Sequence, residues 1–203
     1  MTVIRKFDTF DSTEIKFRIP EEVKELINIE LPSEIQAPVF ENVEDLEFSD
    51  TELHYSYFKL CSSSSNNFQE WMTQFDDHVI SYLHDNSENI WGKERSQESL
   101  SSIYSSSVSS KDTMKLHLSR SKKETCVRLR VVDKDNKKIT GIDRFEQDTR
   151  MVGIIRCNTI SVNNDSINAQ WDLRTITLKP KKQSKPRSCI IVDDTDSEDD
   201  FFY

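Results

Sequence analysis

Between Thr125 and Leu178 three runs rich in β-forming residues are separated by turns, and the first alternates with a period of two, a pattern that suits strands and not helices. Thr125, Val127, Leu129 and Val131 take one face of the first run, and Cys126, Arg128, Arg130 and Val132 take the other. Asp133-Lys134-Asp135-Asn136 turns the chain. A second run, Arg150 to Val162, is rich in Val and Ile with Arg156 at its middle. Asn163-Asn164-Asp165-Ser166 turns again, and Ile167 to Leu178 returns with Ile167, Ala169, Trp171 and Leu173 inward. Near Thr175 the parity slips to Ile176 and Leu178, the mark of a bulge. The expected product is a curled antiparallel meander with arginines on one face. Ordinary surface arginines over an all-β core would give the same pattern, so the rest of the chain must decide.

Charge distribution is the first deciding feature. The 203 residues carry a formal net charge of −9, which alone argues against a polyanionic partner. That average conceals three blocks. Residues 1–92 hold six basic and 19 acidic side chains, residues 93–187 hold 21 and 11, and residues 188–203 hold six acids and no base. A basic body thus lies between acidic ends. Gly92, Gly141 and Gly153 are the only glycines, so no Gly-rich phosphate loop can form. Cys61, Cys126, Cys157 and Cys189 are far apart, which favours free thiols in a reducing compartment. With no signal peptide and no apolar run near membrane length, a soluble intracellular protein is expected.

From the N-terminus, residues 2–10 and 14–19 read as a pair of short strands closed by Pro20. The acidic stretch 21–50, with Pro32 and Pro38, reads mostly as connector. Glu52 to Leu60 is a further strand. Asn67 then caps a helix with Phe68, Trp71, Met72, Phe75, Val79, Tyr82 and Leu83 in one stripe, Asp76 and Asp77 falling on the other face. Ser96 caps a short helix holding Leu100, Ile103 and Tyr104. Residues 105–110 read as a mobile loop. Residues 113–118 form a strand with Lys115 and His117 on its open face.

Catalysis and metal binding need groups that converge. His54, His78, His84 and His117 stand in unrelated settings, and no metal-ligand or nucleophile spacing links them to the carboxylates or cysteines. A binding protein is expected, without enzyme activity, cofactor or metal. The constellation that carries chemistry is basic and aromatic. Lys93, Lys115, His117, Arg128, Arg130, Arg156 and Arg174 can track phosphates. Trp91, Tyr104, Phe145 and Trp171 are the candidates for stacking on unpaired bases, though for Trp171 the core is the better place.

The end of the chain has its own composition. Lys179 to Arg187 is a basic linker, open to three readings: a nuclear localisation signal, a non-specific DNA contact or a solubilising spacer. Ile190, Ile191 and Val192, followed by acids, look like a SUMO-interacting strand. Ser197, before Glu198, Asp199 and Asp200, resembles an acidophilic kinase site. The last residues are Asp199, Asp200, Phe201, Phe202 and Tyr203.

That ending resembles the acidic, aromatic tails of replication single-stranded DNA-binding proteins of phages and bacteria, which close on Phe rather than Tyr. Residues 68–178 resemble single-stranded DNA-binding proteins of large DNA viruses: an amphipathic helix, an Asn-Ser-x-x-x-Trp-Gly-Lys segment from Asn86 to Lys93, a second short helix and a basic β meander. The resemblance does not cover residues 1–67. It implies a mainly β fold, an oligonucleotide-binding (OB) antiparallel barrel. The expected organisation is an OB-like domain over 1–178 with a helical insertion at about 67–104, a basic linker at 179–188 and an acidic protein-interaction tail at 189–203. The implied function is sequence-independent binding of single-stranded DNA in replication, recombination or repair, with tail-bound partner proteins and no membrane. A nuclear location is expected, or a viral replication site if the source is viral. The alternative is a non-enzymatic adaptor whose tail recruits a SUMO-like partner. An adaptor would bind no oligonucleotide at any salt.

Overall fold

The computed structural model describes residues 4–21, 25–31, 34–43, 46–47, 55–60, 65–109, 112–118, 130–132, 137, 144–145, 147 and 149–178. Five strands close into a ring: β4 (Glu34–Asn42), β6 (Tyr55–Leu60), β8 (Thr113–Leu118), β12 (Ile167–Leu178) and β11 (Arg150–Val162). β4 pairs with β6, β6 with β8, β12 with β11, and β11 with β4, all antiparallel. β8 and β12 run parallel. A five-strand ring that is parallel only between its third and fifth strands in chain order, here β8 and β12, is the OB barrel.

Alternation fills the barrel. On β6 it sends Phe58 and Leu60 inward, and on β8 Met114, Leu116 and Leu118, all buried. β11 adds Met151, Ile155 and Ile160, and β12 adds Trp171, Leu173 and Ile176. The bulge expected near Thr175 is present: Ile154 faces Thr175 and Ile155 faces Leu173, so Arg174 is the extra residue.

Gly153 shows how tightly the interior is filled. A Cβ there would stand 2.7 Å from Phe40 Cε1 and 2.8 Å from Leu173 Cδ1, inside contact distance. Both neighbours are core side chains with little room to retreat. Gly153→Ala is expected to lower stability by about 1–3 kcal/mol. The check is a urea midpoint that falls while the slope stays constant. A wild-type midpoint would mean that Phe40 swings away at no cost.

Helices fill the span between β6 and β8: α1 (Ser65–Asp85), α2 (Ser87–Trp91) and α3 (Gln97–Ile103). The α1 stripe of Phe68, Trp71, Met72, Phe75, Val79 and Leu83 is buried. It meets the barrel at Trp171, whose ring lies 5.0 Å from Phe75 and 6.3 Å from Trp71. Trp71 Nε1 donates to Phe10 O at 2.7 Å, and His78 Nε2 lies 2.9 Å from Ile15 O, which ties the N-terminal segment to the helix. α1 begins at Ser65, so Asn67 sits inside its first turn rather than capping it. Gly92 takes the left-handed φ of 68° that ends α2, and Ser96 caps α3 through its side chain.

Several expectations are corrected. The N-terminal strands do not pair with each other. β1 (Ile4–Lys6) runs parallel to β4, and β2 (Lys16–Arg18) pairs with β3 (Leu26–Leu31). Between them the Asp11 carboxylate accepts from Thr13 N and Oγ1, which holds a turn that breaks any hairpin. The acidic stretch 21–50 is not a connector. It supplies β3, the first barrel strand β4 and β5 (Leu46–Glu47), which pairs with β10 (Arg144–Phe145). Pro38 is tolerated in β4 because it falls in a register shift between the Val39–Val152 and Gln36–Ile154 pairs. The meander is not antiparallel throughout: β9 (Arg130–Val132) lies parallel to β12. The serine segment after α3 is held, its residues Tyr104–Ser105 pairing with β12 as β7.

Candidate nucleic-acid interface

The second and third strands of an OB barrel present an outward face beside the loops that join strands one to two and four to five. Here that face belongs to β6 and β8. The alternation that buries Phe58, Leu60, Met114 and Leu116 turns Tyr55, Tyr57, Lys59, Lys115 and His117 outward. Register places Tyr55 opposite His117 and Tyr57 opposite Lys115. The Tyr55 ring lies 5.9 Å from Tyr57 and 6.0 Å from His117. Lys115 Nζ stands 3.8 Å above the Tyr55 ring. Each tyrosine keeps 45% of its surface exposed, in a fold that buries most of its other described aromatics. Two large rings left in water beside cations mark a surface built for contact.

The face continues across the barrel. His117 neighbours Asp172 on β12, and Asp172 neighbours Arg156 on β11. Asp172 is 6% exposed and accepts from Gln170 Nε2 at 3.2 Å. Arg156 and Arg174 are half-buried on these two strands. Tyr55, His117, Asp172 and Arg156 therefore form one row over four strands, in which an acid lies between the His117 imidazole of β8 and the Arg156 guanidinium of β11.

Of the residues singled out from the sequence, the structure joins Lys115 and His117 to two tyrosines that were read only as strand residues. Lys93 is exposed after the Gly92 cap, next to α2 rather than on this face. Trp91 packs half-buried beside the β11–β12 turn with the Arg95 guanidinium 4.5 Å over its ring. The same guanidinium donates to Asn164 O and Oδ1 at 3.0 and 3.1 Å. Trp171 is 1% exposed with α1 rings against it, so it is core and no stacking platform. Tyr104 is committed too: its hydroxyl donates to Asp76 at 2.6 Å, and burial beside that carboxylate pushes the phenol far above its ordinary value. Arg130 and Phe145 lie in β9 and β10. Arg128 and the tail residues Ile190, Ile191, Val192, Ser197, Asp199, Asp200, Phe201, Phe202 and Tyr203 lie outside the described residues.

Asp76 is the other correction. It is 7% exposed, not on the open face of α1. Besides Tyr104 it accepts from Ser106 Oγ at 2.9 Å, Ser107 Oγ at 3.0 Å and Ser107 N at 3.2 Å. Ser107 Oγ in turn accepts from Trp171 Nε1 at 3.0 Å. One buried carboxylate thus fixes the 104–107 segment against the barrel. Among the described residues no group of three or more His, Cys, Asp or Glu is placed to hold a metal.

With this geometry in hand, the chain can be set beside known proteins. No protein-family model matches it, and no curated protein matches it. Solved structures of similar chain path include the single-stranded DNA-binding protein of bacteriophage Enc34 in a C-terminal truncation, at 8% identity and a TM-score of 0.47, covering 83% of this chain and 97% of that one. The Enc34 protein in complex with single-stranded DNA gives 8% identity, a TM-score of 0.42 and the same coverage. The single-stranded DNA-binding protein gp2.5 encoded by bacteriophage T7 gives 9% identity and 0.47, over 75% of this chain and 96% of that one. The likeness is one of chain path.

Proposed function

We propose that the protein is a non-enzymatic binder of single-stranded DNA, acting in replication, recombination or repair, and that the strand crosses the outer face of β6 and β8. The observation that carries this reading is the pair of half-exposed tyrosines, Tyr55 and Tyr57, opposite His117 and Lys115. Unpaired bases stack on such rings whatever their identity, while cations follow the phosphates, so the main contact is sequence-independent. Duplex DNA keeps its bases stacked and offers this face only phosphates.

The test is fluorescence anisotropy with single- and double-stranded oligonucleotides from 50 to 200 mM salt. About three phosphate contacts would weaken single-strand binding roughly twentyfold over that range. Equal affinity for duplex would refute the base-stacking surface. Silence at every salt would leave the adaptor reading. The acidic tail, residues 189–203, belongs to the same proposal as a competitor for the cationic face and a recruiter of protein partners. A chain ending at Ser188 should then bind single strands more tightly, most of all at low salt where screening is weakest. Equal affinity with and without the tail would remove the competition.

A further inference from the structure

β8 meets β12 only at His117–Asp172 and Leu118–Leu173. Further back along the barrel, β12 is paired by β7 instead, at Ile167–Tyr104 and Asn168–Ser105. Among the described residues neither neighbour bridges Ala169, Gln170 or Trp171. The span from Asn168 to Asp172 is about 13 Å at the usual strand rise. The chain after Tyr104 crosses this span: Val108 bridges Met114, and Ser109 N donates to Thr113 O. The result is a wedge in the barrel wall, bounded by β12, by β8 and by the 105–109 crossing.

The lining of the wedge divides by chemistry. Lys115 and His117 form one side, and Ser105, Ser106 and Ser107 the other. Asn168, Ala169, Gln170 and Ser161 lie along the β11–β12 edge, over the buried Trp171. Among the described residues no carboxylate lines it. The walls are rigid, since Asp76 clamps Ser106 and Ser107 and Ser107 pins the indole. Lys115 is common to the wedge and to the tyrosine face, where it lies over Tyr55. A strand that stacks on Tyr55 and Tyr57 therefore passes the mouth of the wedge.

We infer that this wedge is a single-nucleotide pocket. It takes one unstacked base of the bound strand, with the neighbouring phosphate at Lys115 and the base edge against the Asn168 and Gln170 amides. This rests on the single-strand binding proposed above and adds a base preference to it. Amide side chains offer a donor and an acceptor together, so they discriminate between base edges in a way that ring stacking does not.

The experiment compares oligo-dA, oligo-dC and oligo-dT of about fifteen nucleotides, a length spanning one barrel. Wild-type protein should separate the tightest from the weakest by at least about fivefold. Asn168→Ala, at an exposed position, and Asn168→Ala/Gln170→Ala should narrow that spread toward about twofold, chiefly by weakening the preferred base. Circular dichroism checks that both variants fold. A spread that persists in the folded variants would come from the oligonucleotides' own stacking and would overturn the pocket. So would three equal wild-type affinities. A wild-type protein that binds none of the three would instead remove the single-strand reading itself.

Discussion

Replacing Tyr55 and Tyr57 together by alanine is expected to weaken single-strand binding by at least about thirtyfold and leave the barrel folded. Each base stacked on an aromatic ring is worth about 1–3 kcal/mol, so two stacks at the low end give about 2 kcal/mol, close to thirtyfold in affinity. Stability should change little. Both rings are already half in water, and the cross-strand contacts they make with Lys115 and His117 are worth about 0.2–1 kcal/mol each. Tyr→Phe at both positions should keep most of the affinity, because the ring and not the hydroxyl makes the stack. The measurement is anisotropy at fixed salt, beside a urea melt of each variant. Unchanged affinity in a folded double-alanine protein would move the strand off this face.

That site was only half legible in the sequence. Lys115 and His117 could be placed on the open face of a strand because Met114, Leu116 and Leu118 alternate with them. Tyr55 and Tyr57 read equally well as strand residues, yet nothing local says whether a tyrosine on a strand is covered. That depends on which strand lies alongside, and β8 comes more than fifty residues later. The same limit governs the arginines. Arg156 looked like part of a cationic face until register put Asp172 between it and His117. The helix α1 was readable because a 3.6-residue stripe is a local signal. The first barrel strand was not, because Pro38 and its register shift break the alternation of β4 and acidic residues surround it. The parallel pairing of β8 with β12 was equally out of reach, since parallel partners need a long crossover that leaves no mark at the turn.

Asp76 gives the largest expected effect on stability, and its place was legible after all. It stands four residues after Met72 and three before Val79, so it continues the buried stripe rather than facing away from it. Asp76→Ala would strip the acceptor from Tyr104, Ser106 and Ser107 at once. Ser106 is exposed and keeps Val108 O as an acceptor, but the part-buried donors of Tyr104 and Ser107 lose theirs, which makes a loss of about 3 kcal/mol the expected result. Asp76→Asn separates charge from shape. Burial is the largest influence on this carboxyl and raises it above its ordinary 3.8, although the hydrogen bonds from Tyr104, Ser106 and Ser107 pull the other way. Below the ordinary value the carboxyl is neutral in both states, and its contribution to stability is complete. As pH rises the unfolded chain ionises first, so that contribution shrinks and is lost through the folded value. Wild type should therefore hold its widest margin over Asp76→Asn near pH 3, below the ordinary carboxyl value, narrowing as pH rises toward 7, in urea midpoints taken across that range. A margin that widens with pH would mean that the serine and tyrosine donors, and not burial, set the state of Asp76, and that the 104–107 segment is clamped by a full negative charge.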